Sequence, residues 1–129
     1  MAIAGIERNV ADESGFNPNL RHPDQPKFGG EAHFAHGLYQ EGGDEWNNYV
    51  KWLDAHRDAE GTLPDWRDPK LQSQFLAERL ASPDYARTNE RLASAGTTGQ
   101  AADAFLRGYL KPADQYLQQR RAQYLREGG

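Results

Sequence analysis

Apolar side chains recur three or four residues apart along most of this chain, and no other sequence feature constrains its fold as strongly. This spacing puts apolar side chains on one face of an α-helix, whereas a half-buried strand needs strict alternation. The pattern predicts helices over about residues 2–14, 44–60, 68–81, 82–96, 97–112 and 116–125, with a break or kink at Pro112. We therefore predict a mainly α fold, organised as a single domain over residues 1–129.

The segment from Gly15 to Gly43 is rich in glycine and has no helical spacing. A segment of this length without helix or strand in a compact domain is usually functional or disordered. Phe28, Phe34 and Tyr39 give it apolar surface to bury. We therefore expect an ordered loop, or a short hairpin around residues 27–34, that forms one wall of a cleft.

Composition and charge exclude several classes of protein. No run approaches the roughly 18 apolar residues that a membrane-spanning helix needs, so no membrane insertion is expected. The first residues lack the basic head and apolar run of a signal peptide, so none is expected. The chain has no cysteine, which excludes a disulfide scaffold. Its net charge of −4 argues against nucleic acid as a partner, because phosphate contacts need a basic surface.

One group of residues, Glu31, His33 and His36, superficially resembles a set of metal ligands. A structural zinc site needs four ligands, and the other two histidines, His22 and His56, are remote in sequence. We therefore expect no metal and no cofactor.

Two carboxylates, Asp12 and Glu13, stand at the end of the first predicted helix, where the negative end of the helix dipole disfavours them. At about 100° per residue, Glu13 lies on the apolar side with Ile3, Ile6 and Val10, and Asp12 points to solvent. A carboxyl group beside apolar side chains favours its neutral form, which can donate a proton. Glu13 is therefore a candidate general acid, and the alternative is a half-exposed residue at a frayed helix end.

The residues around Glu13 belong to an ordered set of motifs. Residues 13–18 read Glu-Ser-Gly-Phe-Asn-Pro, residues 37–40 read Gly-Leu-Tyr-Gln, and residues 97–112 contain Thr-x-x-Gln-Ala-Ala, a Phe and Tyr-x-x-Pro. This set resembles the signature of the lysozyme-like superfamily, which includes lytic transglycosylases and goose-type lysozymes. It is most similar to the phage tail lysozyme family, and the resemblance covers nearly the full length of the chain.

The resemblance implies an α+β lysozyme-like fold and a peptidoglycan hydrolase. Glu13 would protonate the oxygen of the β-1,4 glycosidic bond between N-acetylmuramic acid and N-acetylglucosamine. Residues 37–40 would form the floor of the cleft, and His36 stands where transglycosylases often carry a serine. The residues expected to bind substrate are Ser14, His36, Tyr39, Gln40 and Tyr109.

Several alternatives stay open at this point. A glycosidase with two carboxylates needs a second acid about 5 Å or about 6.5–9.5 Å from the first, and Glu31, Glu41, Asp44 and Glu45 are the candidates. Hydrolysis and lytic transglycosylation are equally compatible with one acid. The alternative to an enzyme is a binding or structural module of a phage or tail-like particle that keeps the fold without activity.

The expected partners are peptidoglycan glycan strands and proteins of a phage or tail particle. A net charge of −4 argues against a free lysin, because anionic cell walls attract cationic proteins. A domain delivered by a particle needs no such attraction. We therefore expect a phage-encoded or virion-associated protein that acts in the periplasm or at the cell wall.

Overall fold

The computed structural model describes residues 1–23, 27–112 and 114–127, and this part of the chain is mainly helical. The helices are α1 (Ala2–Ser14), α2 (Gly43–Ala55), α3 (Pro69–Leu80), α4 (Ala86–Ser94), α5 (Thr98–Phe105) and α6 (Asp114–Glu127). A π-helical segment, Leu106–Leu110, extends α5, and short 3₁₀ helices cover Gly30–His33 and Pro83–Tyr85. Two strands, β1 (Arg21–Pro23) and β2 (Phe34–His36), pair antiparallel. The predicted mainly α fold with a small β part is confirmed.

Of two helix ends compared with their predictions, one is confirmed and the other is wrong. The break expected at Pro112 is confirmed, because the helical stretch ends at Leu110 and Lys111 adopts a left-handed conformation. The predicted end of α2 near residue 60 is wrong, because the helix ends at Ala55. The Asp58 carboxylate accepts hydrogen bonds from the backbone N–H groups of residues 60 and 62, both over 2.9 Å. Such local side-chain bonds compete with helical ones and favour a turn.

The hairpin also differs from the prediction. Arg21 pairs with His36 and Pro23 with Phe34. The first strand therefore lies before residue 27, and the second strand begins at Phe34, the last residue of the predicted hairpin. Residues 24–26 of the predicted loop lie outside the described residues. The remainder is held by backbone hydrogen bonds, for example from Gly37 N–H to the Leu20 carbonyl over 2.7 Å.

The chain divides into two compact units. The first unit comprises Met1–Asp12 and Glu78–Gly129. Its centre is α5, where Ala101, Ala102 and Phe105 are fully buried. Asn9 is equally buried and donates to the Ala102 carbonyl over 2.8 Å. Small residues on α5 therefore allow its backbone to approach α1 closely.

The second unit comprises Glu13–Ala77 and has an aromatic core. Trp46, Tyr49 and Leu53 of α2 are buried, and they pack with Phe75 of α3. Phe28, Trp52, Trp66 and Leu71 cover this cluster from the outside. Among the described residues, no helix combines the length and the apolar character needed to cross a bilayer.

The close approach of α1 and α5 generates a stability prediction. A Cβ atom added at Gly5 would lie 2.5 Å from Ala101 Cβ and 2.6 Å from the Ala102 nitrogen. Gly5→Ala should therefore lower the free energy of unfolding by about 1–3 kcal/mol, although alanine has the higher helix propensity. A urea titration would show this as a lower midpoint at an unchanged slope.

The matched control is Gly29→Ala. Gly29 has a φ of −98°, and a Cβ atom there would meet nothing within 4 Å. Its midpoint should stay close to that of the wild type. A Gly5→Ala protein as stable as this control would contradict the close packing.

Candidate active site

The chain reverses direction directly after α1. Gly15 and Phe16 have φ values of +59° and +63°, and Asn17 N–H donates to the Ser14 carbonyl over 3.1 Å. Two consecutive positive φ angles closed by such a bond define a type I′ turn. Glu13 and Ser14 are therefore the last helical residues before this turn, with Glu13 half-buried and Ser14 buried.

The buried face of α1 agrees with the prediction at Val10 and differs at Ile3. Val10 is buried, whereas Ile3 is 73% exposed. Gly5 and Asn9 face α5 in place of Ile3, because a side chain at position 5 would collide with that helix. By helix angle Glu13 falls between Asn9 and Val10, which agrees with its half-buried state.

Asp12 is exposed, as predicted, but its carboxylate also makes bonds within the first unit. Its carboxylate lies 3.0 Å from Arg8 Nη1 and accepts a hydrogen bond from the Tyr124 hydroxyl over 2.5 Å. Burial, together with this bond to Asp12, raises the pKa of Tyr124 to about 12. Asp12 therefore helps to hold the first unit together.

Residues 37–40 form a four-residue loop, here called the 37–40 loop. His36 and Glu41 close it with two reciprocal backbone hydrogen bonds of 2.8 Å each. Gly37 has a φ of +78°, and any side chain at this position would collide with the amide of Gln72. Glycine at position 37 is therefore a steric requirement of this loop.

The peptide groups of Leu38 join the 37–40 loop to α1 and α3. Ser14 Oγ donates to the Leu38 carbonyl over 2.9 Å, and Leu38 N–H donates to Gln72 Oε1 over 2.8 Å. The loop thus lies beside the helix end that carries Glu13. Two motifs that are distant in sequence meet within the second unit.

Gln72 is a site residue that the sequence reasoning missed. Its side chain is 3% exposed, and Nε2 donates to the carbonyls of Pro18 and Trp66 over 3.0 and 2.9 Å. One amide therefore links the 37–40 loop to two other loops of the second unit. The signal available in the sequence was a polar residue on the apolar face of α3, three and four residues before Phe75 and Leu76.

Tyr39 and Gln40 differ in how much of each side chain remains accessible. Tyr39 is 8% exposed, and its hydroxyl shares a hydrogen bond of 3.0 Å with Ser73 Oγ. Gln40 is half-buried, and its Nε2 donates to the carbonyls of Gly37 and Leu20 over 3.0 and 3.4 Å. Within the described residues no donor reaches Gln40 Oε1, so this oxygen can accept a bond from a ligand.

His36 supports the loop from within the protein. It is 2% exposed, its Nε2 lies 2.8 Å from Glu31 Oε2, and its Nδ1 lies 3.1 Å from the Glu41 carbonyl oxygen. The ring also stacks on Trp46 with centroids 3.6 Å apart. Both ring nitrogens and one ring face therefore have partners within the protein, and the substrate contact of His36 stays a prediction.

Glu31 forms an ion pair with Arg21 and a hydrogen bond with His36. Its carboxylate lies 2.6 Å from Arg21 Nη2 and also accepts the bond from His36. Hydrogen bonds from Arg21 and then from His36 lower the pKa of Glu31 to about 2. The remaining candidates for a second acid are Glu41, which is 4% exposed, and Asp44 and Glu45 in the first turn of α2.

Glu41 lies inside the second unit, close to the aromatic core. Burial raises the pKa of the Tyr49 hydroxyl, and the negative charge of Glu41 adds to this effect. Within the described part of the chain, no three His, Cys, Asp or Glu side chains form a group that could hold a metal ion.

Tyr109 lies in the first unit. It is 6% exposed, and its ring packs 5.3 Å from Phe105 and 4.9 Å from Tyr85, measured between centroids. These contacts make it part of the core of that unit. Its contact with substrate stays a prediction.

Comparison with known proteins identifies the family to which this chain belongs. The family model of phage tail lysozymes matches residues 1–124, and the chain therefore belongs to that family. Neither the curated proteins nor the solved structures contain a match. Membership indicates a phage-associated, lysozyme-like glycosidase with peptidoglycan as its substrate class.

The hydrogen bonds of the Gln72 side chain predict that replacing this residue strongly lowers the stability of the protein. Gln72→Leu should lower the free energy of unfolding by at least about 2 kcal/mol, because the Leu38 N–H and the Pro18 carbonyl would lose their side-chain partner and the Trp66 carbonyl would keep only the Tyr49 hydroxyl. Urea denaturation would measure the loss. Gln74→Leu, at an exposed position of the same helix, is the matched control and should change stability little. Equal effects of the two substitutions would contradict the role assigned to Gln72.

The ion pair of Glu31 predicts a pH dependence. Its pKa is lowered from 4.5 to about 2, so the stability it contributes is complete above pH 4.5 and is lost as the pH falls to about 2. Arg21→Met should move the pKa of Glu31 up toward 4.5, because it removes the largest cause of the shift. Carboxyl carbon NMR would follow this titration. Arg57→Met, which removes the partner of Asp54, should leave the pKa of Glu31 in place.

Proposed function

We propose that the protein cleaves the β-1,4 glycosidic bond between N-acetylmuramic acid and N-acetylglucosamine in peptidoglycan, with Glu13 as the general acid. The observation that carries this proposal is the hydrogen bond of 2.9 Å from Ser14 Oγ to the Leu38 carbonyl. It holds the helix end bearing Glu13 beside the 37–40 loop. A glycan strand bound along this loop would present a glycosidic oxygen to the Glu13 carboxyl. Membership in the phage tail lysozyme family supports the same substrate class.

Cleavage of the glycosidic bond requires the transfer of one proton to the glycosidic oxygen. A sugar alkoxide leaves poorly, so the glycosidic oxygen must gain a proton as its bond to the anomeric carbon breaks. The protonated Glu13 carboxyl donates that proton and becomes a carboxylate. The half-buried state of Glu13 suits this role, since part of the residue is accessible from solvent.

Gln40 contributes an acceptor for the substrate. Its Nε2 is held on the Gly37 and Leu20 carbonyls, which sets the orientation of the amide before any ligand binds. Gln40 Oε1 then accepts a hydrogen bond from an N–H or O–H group of a sugar. Ser14, Tyr39 and His36 act by holding the loop that carries Gln40.

The fate of the oxocarbenium-like centre decides the product. If water attacks the anomeric carbon and returns a proton to the Glu13 carboxylate, the product is a reducing muropeptide. If the 6-hydroxyl of the same muramic acid attacks, the product is a 1,6-anhydro muropeptide with one water less. Mass spectrometry of the digest distinguishes the two reactions.

Glu13→Gln is the decisive variant. Glutamine keeps the size of the side chain but cannot donate the proton, so turnover should fall by about 10²–10⁴-fold. Muropeptides released from purified peptidoglycan would be quantified by mass spectrometry. The variant should unfold within about 0.5 kcal/mol of the wild type, because glutamine matches the size of a residue that is only half-buried.

Glu7→Gln is the matched control, since it makes the same change at an exposed position of the same helix. Asp12→Asn is unsuitable, because Asp12 binds Arg8 and Tyr124. Full activity of Glu13→Gln, or loss of activity in Glu7→Gln, would refute Glu13 as the acid. A wild-type protein that binds peptidoglycan and releases no product would identify a module without activity.

A further inference from the structure

Phe16 combines two unfavourable features. It is 55% exposed, and its φ is +63° at the second central position of the type I′ turn. Glycine and asparagine are favoured there, because the Cβ atom of other residues crowds the following carbonyl oxygen in the left-handed conformation. An aromatic residue at this position strains the backbone and leaves apolar surface in water.

More than half of the surface of Phe16 is in solvent. Within the described residues, Phe16 makes no contact with another ring or with a cation. A Cβ atom added at the preceding Gly15 would meet nothing within 4 Å, so open space lies beside the turn. Backbone strain that folding does not require is concentrated at functional sites.

The turn that carries Phe16 is tied to the candidate site. Asn17 N–H donates to the Ser14 carbonyl, Leu20 N–H donates to the Asn17 carbonyl, and Gly37 N–H donates to the Leu20 carbonyl. These bonds run from the end of α1 to the first residue of the 37–40 loop. The ring is therefore attached to a backbone that both motifs share.

We propose that Phe16 is a stacking platform for a pyranose ring of the glycan strand and forms a sugar subsite next to Glu13. This inference rests on the proposed function. The face of a pyranose ring carries C–H groups, and an aromatic ring attracts such an apolar face. Because the turn already fixes the backbone, binding orders few additional groups.

The surroundings of Phe16 favour a sugar over a protein partner. Its exposed neighbours Gly15, Asn17 and Asn19 are small or polar, so the ring is not part of a continuous apolar run. Protein interfaces generally need a contiguous patch of several hundred Å². The Phe16 ring, with the amide side chains of Asn17 and Asn19 near it in sequence, suits a sugar. A sugar has one apolar face for the ring and hydroxyl groups at its edge for the amides.

Phe16→Asn separates a ligand role from a structural one. Asparagine tolerates positive φ, so the melting temperature should rise by about 2–5 °C. The loss of stacking should raise KM for soluble peptidoglycan fragments about threefold to tenfold with kcat little changed. A structural role predicts a lower melting temperature instead. Phe16→Tyr should retain the wild-type KM.

Leu63→Asn is the control, because Leu63 is another apolar residue of the second unit, 46% exposed and outside the candidate site. It should leave KM unchanged. An unchanged KM in Phe16→Asn would overturn the proposal. A change of oligomeric state at unchanged KM would also overturn it, and would assign Phe16 to a protein contact.

A binding experiment keeps this inference distinct from the proposed function. Chitotetraose would be titrated into Glu13→Gln protein while the ring signals of Phe16 are followed by NMR. A shift of these signals supports the subsite, even if wild-type protein releases no muropeptide and the proposed activity fails. Ring signals that do not shift at saturating chitotetraose would overturn the subsite, even if the wild type is active.

Discussion

Three segments without regular secondary structure meet at the side-chain amide of Gln72: the 37–40 loop, the turn at Pro18 and the loop at Trp66. The Leu38 N–H and the Pro18 carbonyl have their side-chain partner in this amide, and the Trp66 carbonyl accepts a bond from it as well as one from the Tyr49 hydroxyl. A buried amide that bonds three backbone groups specifies their positions strongly, because leaving a buried polar group unpaired is costly. The requirement for glycine at position 37 follows from the same amide, which occupies the space of a side chain there.

The candidate site is built on this constraint. Once Gln72 holds the N–H of Leu38, the Leu38 carbonyl accepts the hydroxyl of Ser14, and the end of α1 is joined to the loop. Positive φ angles occur on both sides of this junction, at Phe16 and at Gln40 as well as at glycines. Non-glycine residues in this conformation persist where surrounding bonds enforce them, and such positions are frequent at functional sites.

The helices were largely predictable because their apolar spacing is a local property of the chain. The errors arose where a single contact overrode that spacing. Asp58 ends α2 early through an Asx turn, and the close approach of Gly5 to α5 turns Ile3 toward solvent. The register of the hairpin was not predictable from residues 27–34, since pairing of short strands depends on the structure that surrounds them.

The sequence by itself determined the helical class of the fold, the break at Pro112 and the two motifs that contain Glu13 and the 37–40 loop. These features depend on residue type and on spacing within one turn or one loop. Only the tertiary structure decided that Gln72 joins three loops, that His36 lies buried against Trp46 and that Asp12 binds Tyr124. The physical reason is that a hydrogen-bond partner distant in sequence is chosen by packing, which no local pattern encodes.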